Sequence, residues 1–388
     1  MKKILALTLA LGLAAPALAQ NVKAAPKKAA VAPAAAEKPA VRSKRAVEIY
    51  GFLKLTAAAD TGIFPGNYAA WARSGSKDNQ FNATANETRL GLDFLKEGEG
   101  PRVLGKLEMD FMGGGTENKA NPMMRHAYLE ICNSRSDTAL LAGQTWDVIA
   151  PLNPMSNNYS VYWWAGNIGY RRPQVRLTKK AGSATFQAAA ARTVGDVVTD
   201  KSGSSPVTYT ATGEDSGFPT LQGRLALAPC PSFTLGVAGH FGEEEAGNTD
   251  YVTSSAVADL VLKIGSKAEI RGEAWMGKNL DAYLGGIGQG ISTGNPYKEI
   301  HASGGWGSLQ AGPFGATRLY MGAGVDNPAN QDLKPGDRSL NRAGWAGMSR
   351  TVASGTTLDL EYSYLDTKYH HAEGGYSHRG QMTLLYGF

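Results

Sequence analysis

The stretch His378–Phe388, HRGQMTLLYGF, alternates between two sets of side chains. The apolar set comprises Met382, Leu384, Tyr386 and Phe388, and the mostly polar set comprises Arg379, Gln381, Thr383 and Leu385. A period of two indicates a β-strand with one apolar face. The stretch fits the closing strand of an outer-membrane barrel, with an aromatic residue at the lipid boundary. It fits an ordinary C-terminal strand of a soluble β-domain equally well, so the rest of the chain must decide.

The N-terminus has the features of a secretory signal peptide. Lys2 and Lys3 precede the apolar stretch 4–15, and Ala17-Leu18-Ala19 fits a small-residue cleavage site. We therefore predict a signal peptide over residues 1–19 and an exported mature chain that begins at Gln20. No later run approaches 18 consecutive apolar residues, so a membrane-spanning helix is not expected.

Charge separates a basic tail from the remainder of the chain. The formal net charge is +5, of which Lys2 and Lys3 contribute +2 and residues 20–47 contribute +6. Residues 48–388 therefore carry −3, which argues against a nucleic-acid-binding domain. Residues 20–47 are mostly Ala, Lys and Pro and are predicted to form an extended periplasmic tether. The tether is expected to be a plain linker, and the alternative is weak contact with anionic cell-wall polymer.

Residues 48–388 divide into sixteen short alternating segments, which predict an all-β, transmembrane antiparallel barrel of about sixteen strands. A content of 48 Gly, 16 Tyr and 7 Trp suits such a structure better than a helical one. The predicted strands are 48–58, 86–95, 103–112, 124–132, 137–144, 172–179, 184–192, 219–228, 232–241, 251–263, 266–277, 298–309, 314–325, 341–350, 357–366 and 377–388.

The connections between these segments alternate in length. Those after even-numbered strands are short turns, such as NSRSD and KAGS, whereas most of the others are long and polar. The long ones include 59–85, 145–171, 193–218, 278–297 and 326–340. An even number of strands with short turns at one end and long loops at the other is typical of a transmembrane barrel.

Charged residues recur on the strand face opposite the apolar one. In the third segment Leu107 and Met109 oppose Glu108 and Asp110. A small barrel with a packed interior could not accommodate so many charges. A sixteen-stranded barrel encloses water, in which the charges stay hydrated. The pattern therefore predicts an aqueous channel.

Two connections are expected to narrow this channel. The first contains residues 145–172, TWDVIAPLNPMSNNYSVYWWAGNIGYRR, and is too aromatic to remain free in water. We expect it to fold into the lumen, and the alternative is contact with a neighbouring subunit or the barrel rim. The second connection, 278–297, is expected to form another inward or mouth loop. Its glycines lack the strand–GxxxxGK[ST]–helix context of a phosphate-binding loop.

Basic residues recur on the predicted lumen face, and arginine stays charged and binds carboxylates bidentately. Together with Trp146 and Asp147, which begin the aromatic loop, they are the candidate pore-lining and solute-binding residues. We expect a net preference for anions, set by the arginines that flank the loop. The alternative is a mixed-charge wall, because acids line the same face. The basic candidates are Lys54, Arg89, Arg125, Arg172, Arg176, Arg224, Arg271, Arg318 and Arg379.

The sequence shows no enzyme signature. The six histidines have no HExxH or H-x3-H spacing, and no GxSxG motif is present. Neither a cofactor nor a metal is expected. Cys132 and Cys230 fall at two turns that lie four strands apart, which is roughly 20 Å at ~4.8 Å per strand. An intramolecular disulfide, whose Cα atoms must lie within about 7 Å, is therefore not expected.

The sequence resembles the DcaP-type porins, a family of trimeric outer-membrane channels, from about residue 48 to the end. The stretches that carry the resemblance are IYGFLKL, MRHAYLEI, AGQTWDVIAPLNP, YRRPQVRLT, KNLDAYLGGIGQG and GGWGSLQ, in that order. The resemblance implies a sixteen-stranded homotrimer that passes dicarboxylate-like or aromatic carboxylate solutes. Some members carry an N-terminal coiled coil, from which residues 20–47 depart because Pro26, Pro33 and Pro39 interrupt them.

These observations together predict a passive porin of residues 48–388 in the outer membrane of a Gram-negative bacterium. Its expected partners are outer-membrane lipid, small anionic solutes and two further copies of the chain. A non-conducting structural or adhesive barrel is the alternative, and a barrel hydrolase is a more distant one.

Overall fold

In the computed structural model, the described residues are 46–64, 68–75, 78–96, 101–194, 198–200, 207–209, 212–246, 249–292 and 297–388. The predicted signal peptide and all but the last two residues of the predicted tether lie outside the described residues.

Within these ranges, sixteen antiparallel strands form a single closed wall, and we label them β1 to β16 in chain order. Each corresponds to one predicted strand, so the predicted all-β barrel is confirmed. The wall strands are Ala46–Asp60, Arg89–Lys96, Arg102–Asp110, Met123–Asn133, Thr138–Trp146, Arg171–Ala181, Ala184–Ala191, Thr220–Cys230, Phe233–Ala246, Thr249–Ile264, Ala268–Lys278, His301–Phe314, Thr317–Pro328, Arg338–Ala353, Thr356–Tyr369 and Ala372–Gly387.

The barrel closes by pairing its last strand with its first. The pairing of β16 with β1 runs from Phe52 opposite Gly387 to Asp60 opposite Arg379. Beyond it, the backbones of Gly51 and Phe388 exchange two hydrogen bonds of 3.1 Å. Every other wall strand pairs with its neighbours in the chain. The C-terminal stretch is therefore the closing strand, as its alternation predicts.

The other edge of β1 is covered in two pieces, and the interruption supplies a side chain to the interior. Residues 46–52 pair with β2, whereas Thr56–Asp60 pair with a short strand, Gln80–Thr84. Residues 85–88 connect the two pieces. One of them, Glu87, is buried and forms an ion pair with Lys54 of β1.

Alternation along the strands separates an apolar outer face from a polar inner one. On the outer face, Ile49 is 67% exposed and Leu384 is 46% exposed, as suits contact with lipid. On the inner face, Thr383 has no exposed surface and its hydroxyl lies 3.1 Å from that of Thr56. The predicted inward and outward sets of the closing strand are therefore confirmed, although Thr383 is buried by packing and does not contact open water.

Glycines in the wall make room for large aromatic side chains on its inner face. The indole of Trp345 lies where a Cβ at Gly322 would approach it to 2.3 Å, and the ring of Tyr320 would lie 2.4 Å from a Cβ at Gly347. Any side chain at these positions would clash. The high glycine content therefore follows in part from rings that lie flat across neighbouring strands.

The connections mostly follow the predicted alternation. Two connections are shorter than this alternation predicts. β15 ends at Tyr369 and β16 begins at Ala372, whereas β9 ends at Ala246 and β10 begins at Thr249. The remaining regular elements of the described chain are short. They are the strands Val198–Asp200, Val207–Tyr209, Ile291–Ser292 and Lys298–Glu299, the α-helix Thr212–Asp215 and the 3-10 helices Asp281–Tyr283 and Asn330–Asp332. Among the described residues, no helix has the length and apolar character needed to cross a membrane.

Candidate functional site

The connection between β5 and β6, residues 147–170, lies inside the barrel. We call it the inward loop. The backbone N–H of Leu152 donates to Glu273 of β11 at 2.8 Å, and Trp345 of β14 donates to the carbonyl of Met155 at 2.9 Å. Gln381 of β16 donates to the carbonyl of Asn157 at 2.6 Å. Because these wall side chains belong to the inner face, the predicted inward folding of this loop is confirmed.

Two further connections pack against the inward loop. Ser160 donates its hydroxyl to the carbonyl of Ala69 at 2.6 Å, which anchors the segment 68–73 inside the barrel. The N–H of Gly169 donates to the carbonyl of Tyr283 at 2.8 Å in the connection 279–300. The prediction of a second inward loop is confirmed for 279–292, where Tyr283 has no exposed surface. The sequence predicts only that the connection 59–85 is long and polar, so the inward packing of its segment 68–73 is a finding of the structure.

A polar cavity of about 320 Å³ remains between the inward loop and the wall formed by β1 to β5. The loop contributes residues between Asn153 and Trp163 to its lining. The wall contributes three cations, one carboxylate, an imidazole and an indole, from Lys54, Arg89, Arg125, Glu108, His126 and Trp146. Four of the eleven predicted site residues thus meet here, and we call this cavity the constriction.

Ion pairs fix the cations of the constriction. Arg125 lies 3.1 Å from Glu108 and 2.7 Å from Asp110, measured from Nε to Oε1 and from Nη1 to Oδ2. Arg89 makes a longer contact, 3.4 Å, with the same oxygen of Glu108. Lys54 is paired with Glu87. Glu87 and Asp110 are buried behind the lining, so the cations lie nearer the cavity than most of their partners.

Two tyrosines connect the inward loop to opposite walls. The hydroxyl of Tyr159 donates to Asp110 at 3.2 Å, and that of Tyr162 donates to Glu361 of β15 at 2.7 Å. Burial raises the pKa of Tyr159, and the Asp110 carboxylate raises it further. Burial also raises the pKa of Tyr162 well above its ordinary value, and the charge of Glu361 raises this pKa further. Both phenols therefore remain protonated hydrogen-bond donors at neutral pH.

Comparison with known proteins finds a family match over part of the chain. The sequence pattern of the DcaP outer membrane protein family matches residues 18–199. This match confirms the resemblance to the DcaP-type porins. A search of curated protein sequences finds no match.

Solved structures share the fold of this barrel. The crystal structure of the outer membrane channel DcaP of Acinetobacter baumannii has a TM-score of 0.76 at 20% identity, covering 89% of this chain and 97% of that one. An anion-selective porin from Comamonas acidovorans has a TM-score of 0.60 at 13% identity, covering 89% and 100%. The trimer form of OmpT from Vibrio cholerae has a TM-score of 0.55 at 12% identity, covering 89% and 99%.

The family and the fold together settle the broad class. The chain is a porin-like outer-membrane channel protein that crosses the Gram-negative outer membrane with β-strands. The solutes that such a channel admits depend on the residues inside the barrel, where the structure corrects several predictions.

Asp147 and Arg172 are buried and do not line the constriction, which corrects the prediction for both. Nε of Arg172 lies 2.8 Å from Oδ1 of Asp147, and both side chains are at most 2% exposed. The guanidinium also donates to the carbonyl of Ala282 and lies 3.9 Å above the ring centre of Tyr283. The connection 279–300 therefore covers this arginine. Alternation placed it correctly on the inner face but could not show that a second loop buries it.

The other predicted arginines are spread along the barrel wall, and of these Arg271 also contacts the inward loop, because its guanidinium donates to the carbonyl of Asn153 at 3.5 Å. Arg224 is bound by Asp259 through two nitrogens, at 2.7 and 3.1 Å. Arg271 is paired with Glu269. Arg318 is exposed next to the turn between β12 and β13. Arg176 is half-buried and forms no ion pair with another described residue. Arg379 is bound by Asp60 at 2.7 and 2.8 Å.

Sequence reasoning missed His126, Tyr159 and Trp163. In β4, His126 pairs with Glu108 and Met124 pairs with Met109, so Arg125 is an extra residue in a β-bulge. The bulge allows both Arg125 and His126 to line the constriction, whereas strict alternation assigns them to opposite faces. Only their position in a charged strand beside the aromatic loop could have drawn attention to them.

The described chain offers no evident metal centre. Among the described residues, no group of three or more His, Cys, Asp or Glu side chains is placed to hold a metal ion. Cys132 and Cys230 are free thiols at the ends of β4 and β8.

Proposed function

We propose that this barrel is a passive diffusion channel with a modest preference for small anions, dicarboxylates and aromatic carboxylates among them. The observation that carries the proposal is the constriction, because three cations and one carboxylate line it. The proposal involves no cofactor and no chemical step.

The preference follows from where the charges lie. Lys54, Arg89 and Arg125 reach the cavity, whereas Glu87 and Asp110 are buried in the wall. Between low-dielectric walls, a charge next to a solute counts for more than it does on an open surface. An anion in the constriction would therefore meet more cations than carboxylates. The buried acids still offset part of this field, so a modest preference is expected.

Arg89 is the residue that we expect to contribute most. Both nitrogens of Arg125 that contact acids lie within 3.1 Å of them, whereas the contact of Arg89 with Glu108 is 3.4 Å. The side chain of Arg89 is 24% exposed, whereas that of Arg125 is 7% exposed. A guanidinium that is accessible beside a cavity can bind a carboxylate oxygen. The fold neighbour from Comamonas acidovorans, which is an anion-selective porin, supports the same direction of preference.

The test is the reversal potential in planar bilayers under a salt gradient. The wild-type channel should favour anions, and Arg89→Gln should shift the potential toward cations. Arg318→Gln is the matched control, because it removes the same charge from an exposed position near a turn. A cation-selective wild type, or an equal shift in both variants, would contradict the proposed role of the constriction.

Dicarboxylate transport needs a separate measurement. Liposomes that contain the purified barrel should swell faster in a dicarboxylate salt than in a neutral solute of similar size. Arg89→Gln should reduce this difference and leave the rate for the neutral solute unchanged. Equal swelling rates in the wild type would restrict the proposal to inorganic anions.

The three inward connections support a second candidate, a barrel that does not conduct. They fill much of the lumen with buried side chains such as Tyr162 and Tyr283. Bilayer recordings separate the two candidates, since a plugged barrel shows no current steps. We also propose a homotrimer, which is consistent with the trimer form of the OmpT fold neighbour. Light scattering of the detergent complex, corrected for bound detergent, should give three times the chain mass.

A further inference from the structure

Glu361 of β15 faces into the barrel and holds one short segment of the inward loop. Its carboxylate is 3% exposed. It accepts hydrogen bonds from the backbone N–H of Asn157 at 2.5 Å, the hydroxyl of Ser156 at 3.0 Å and the hydroxyl of Tyr162 at 2.7 Å. Three residues of a seven-residue segment, 156–162, thus converge on one side chain.

The surroundings of this carboxylate differ from those of the acids in the constriction. Glu108 faces two guanidinium groups, whereas Glu361 has no ion pair with any cation among the described residues. A buried carboxylate depends on the hydrogen bonds that it accepts, because leaving it without partners is costly. Glu361 and segment 156–162 therefore constrain each other: the segment satisfies the carboxylate, and the carboxylate fixes the segment.

The far side of the same segment forms the constriction. Asn157, Asn158 and Tyr159 line the cavity, and Tyr159 reaches Asp110 on the opposite wall. The ring of Tyr162 stacks on Trp345 with centroids 4.0 Å apart, which supports the segment from the β14 side. A displacement of the segment at Glu361 would therefore change the width of the cavity beside Arg89 and Arg125.

We propose that Glu361 is a positioning residue of the channel, which sets the aperture of the constriction by fixing residues 156–162. It does not contact the solute and acts through the loop. The inference rests on the channel function of the barrel, but it does not depend on which ions the channel prefers. No hydrogen bond from the loop to the neighbouring inner-face acid, Asp359, is present among the described residues.

Three variants recorded as single channels test this proposal. Glu361→Ala removes every acceptor for the segment and should replace the steady open level with a fluctuating one of higher mean conductance. Glu361→Gln keeps one acceptor oxygen for the Asn157 N–H and should lie between Glu361→Ala and the wild type. Asp359→Ala removes a carboxylate from the same strand and face, and it should retain the steady wild-type level.

Folding is monitored by the heat-modifiable band on unboiled gels, and reversal potentials are measured in the same recordings. If Glu361→Ala does not fold, the more conservative Glu361→Gln carries the test. A steady wild-type level in a folded Glu361→Gln and a folded Glu361→Ala overturns the proposal, as does an equal disturbance in Asp359→Ala. Failure of the anion preference would instead appear as an unselective reversal potential in the wild type, whatever the current noise.

Discussion

The inner wall of the barrel has two regions that use the same residue types differently. We call β1 to β5 the cavity wall and β11 to β16 the anchor wall. On the cavity wall, Glu108 is paired with arginines beside open space. On the anchor wall, Glu273 and Glu361 are buried and accept hydrogen bonds from the inward loop. The inward loop is therefore hydrogen-bonded to the carboxylates of the anchor wall, and the constriction lies between the loop and the cavity wall.

This difference shows that an inward charge is not by itself part of a filter. A carboxylate or an arginine on an inner face can line water, pair with its neighbour or hold a loop, and the loop decides which. Aromatic residues follow the same division. Trp345 on the anchor wall is 4% exposed, whereas Trp146 on the cavity wall is only half-buried and lines the constriction.

The largest effect is expected where the inward loop begins. Arg172→Gln would leave Asp147 buried without its guanidinium, which should lower the free energy of unfolding by about 3–5 kcal/mol. Arg342→Gln is the matched control, because its partner Asp366 and its own side chain are exposed enough to reduce the loss to about 1 kcal/mol or less. Urea titration in lipid vesicles measures both. A shift of ion selectivity in Arg172→Gln without loss of stability would return this arginine to the pore lining.

A somewhat smaller effect is expected from the aromatic packing of the anchor wall. Trp345→Ala should cost about 3 kcal/mol, the lower end of the range for buried tryptophan, because the rings of Tyr162 and Tyr320 can move into the space. Trp146→Ala should cost less, since that indole is only partly buried and already lines the cavity. Equal unfolding midpoints for the two variants would remove the distinction between the walls.

Much of the fold could be predicted because alternation is a local property. A strand such as β16 shows its two faces in consecutive residues, and lipid outside with water and loops inside keeps those faces distinct. The sequence predicts strands that end before Ala246 and Tyr369, because the polar residues there alternate without the apolar face that would mark them as strand. The strands remain paired beyond the membrane boundary, where they no longer have an apolar face that would reveal them in the sequence.

The site could be predicted only in part, because it depends on which loops meet. Counting residues in twos places Lys54 and Arg89 on the inner face. It places Arg125 with the outward Leu129 and Ile131, and only the bulge in β4 brings Arg125 to the constriction. The burial of Arg172 depends on Tyr283 and Ala282, more than 100 positions away in the chain, and no local pattern reports that contact. The role of Glu361 is likewise set by a loop from the other side of the barrel. The alternation of residues along the strands therefore carries no information about which distant loops pack together.

Glu108→Gln should sharpen the comparison through selectivity and not through stability. The substitution removes the one carboxylate that lines the constriction while the cations Arg89 and Arg125 remain. The reversal potential should shift toward anions, and the open current should stay steady because the contacts at Glu361 are unchanged. A noisy current in Glu108→Gln would mean that the cavity wall also positions the loop. Glu269→Gln, which removes an acid paired with Arg271 on the anchor wall, should leave selectivity near the wild-type value.

The smallest effect is expected from single hydroxyl groups at the middle and at the end of the 156–162 segment. Tyr159→Phe removes a donor to Asp110, but Arg125 still binds that carboxylate at 2.7 Å, so a loss of about 0.5–1 kcal/mol is expected. Tyr162→Phe removes a donor to Glu361, which has no guanidinium to replace it, so the loss should be about 1.5–3 kcal/mol. The two changes delete the same atom from the same loop, and their difference therefore measures how each wall satisfies its carboxylates. Equal losses in parallel urea titrations would show that the two walls bind the loop alike, and the division between a cavity wall and an anchor wall would fail.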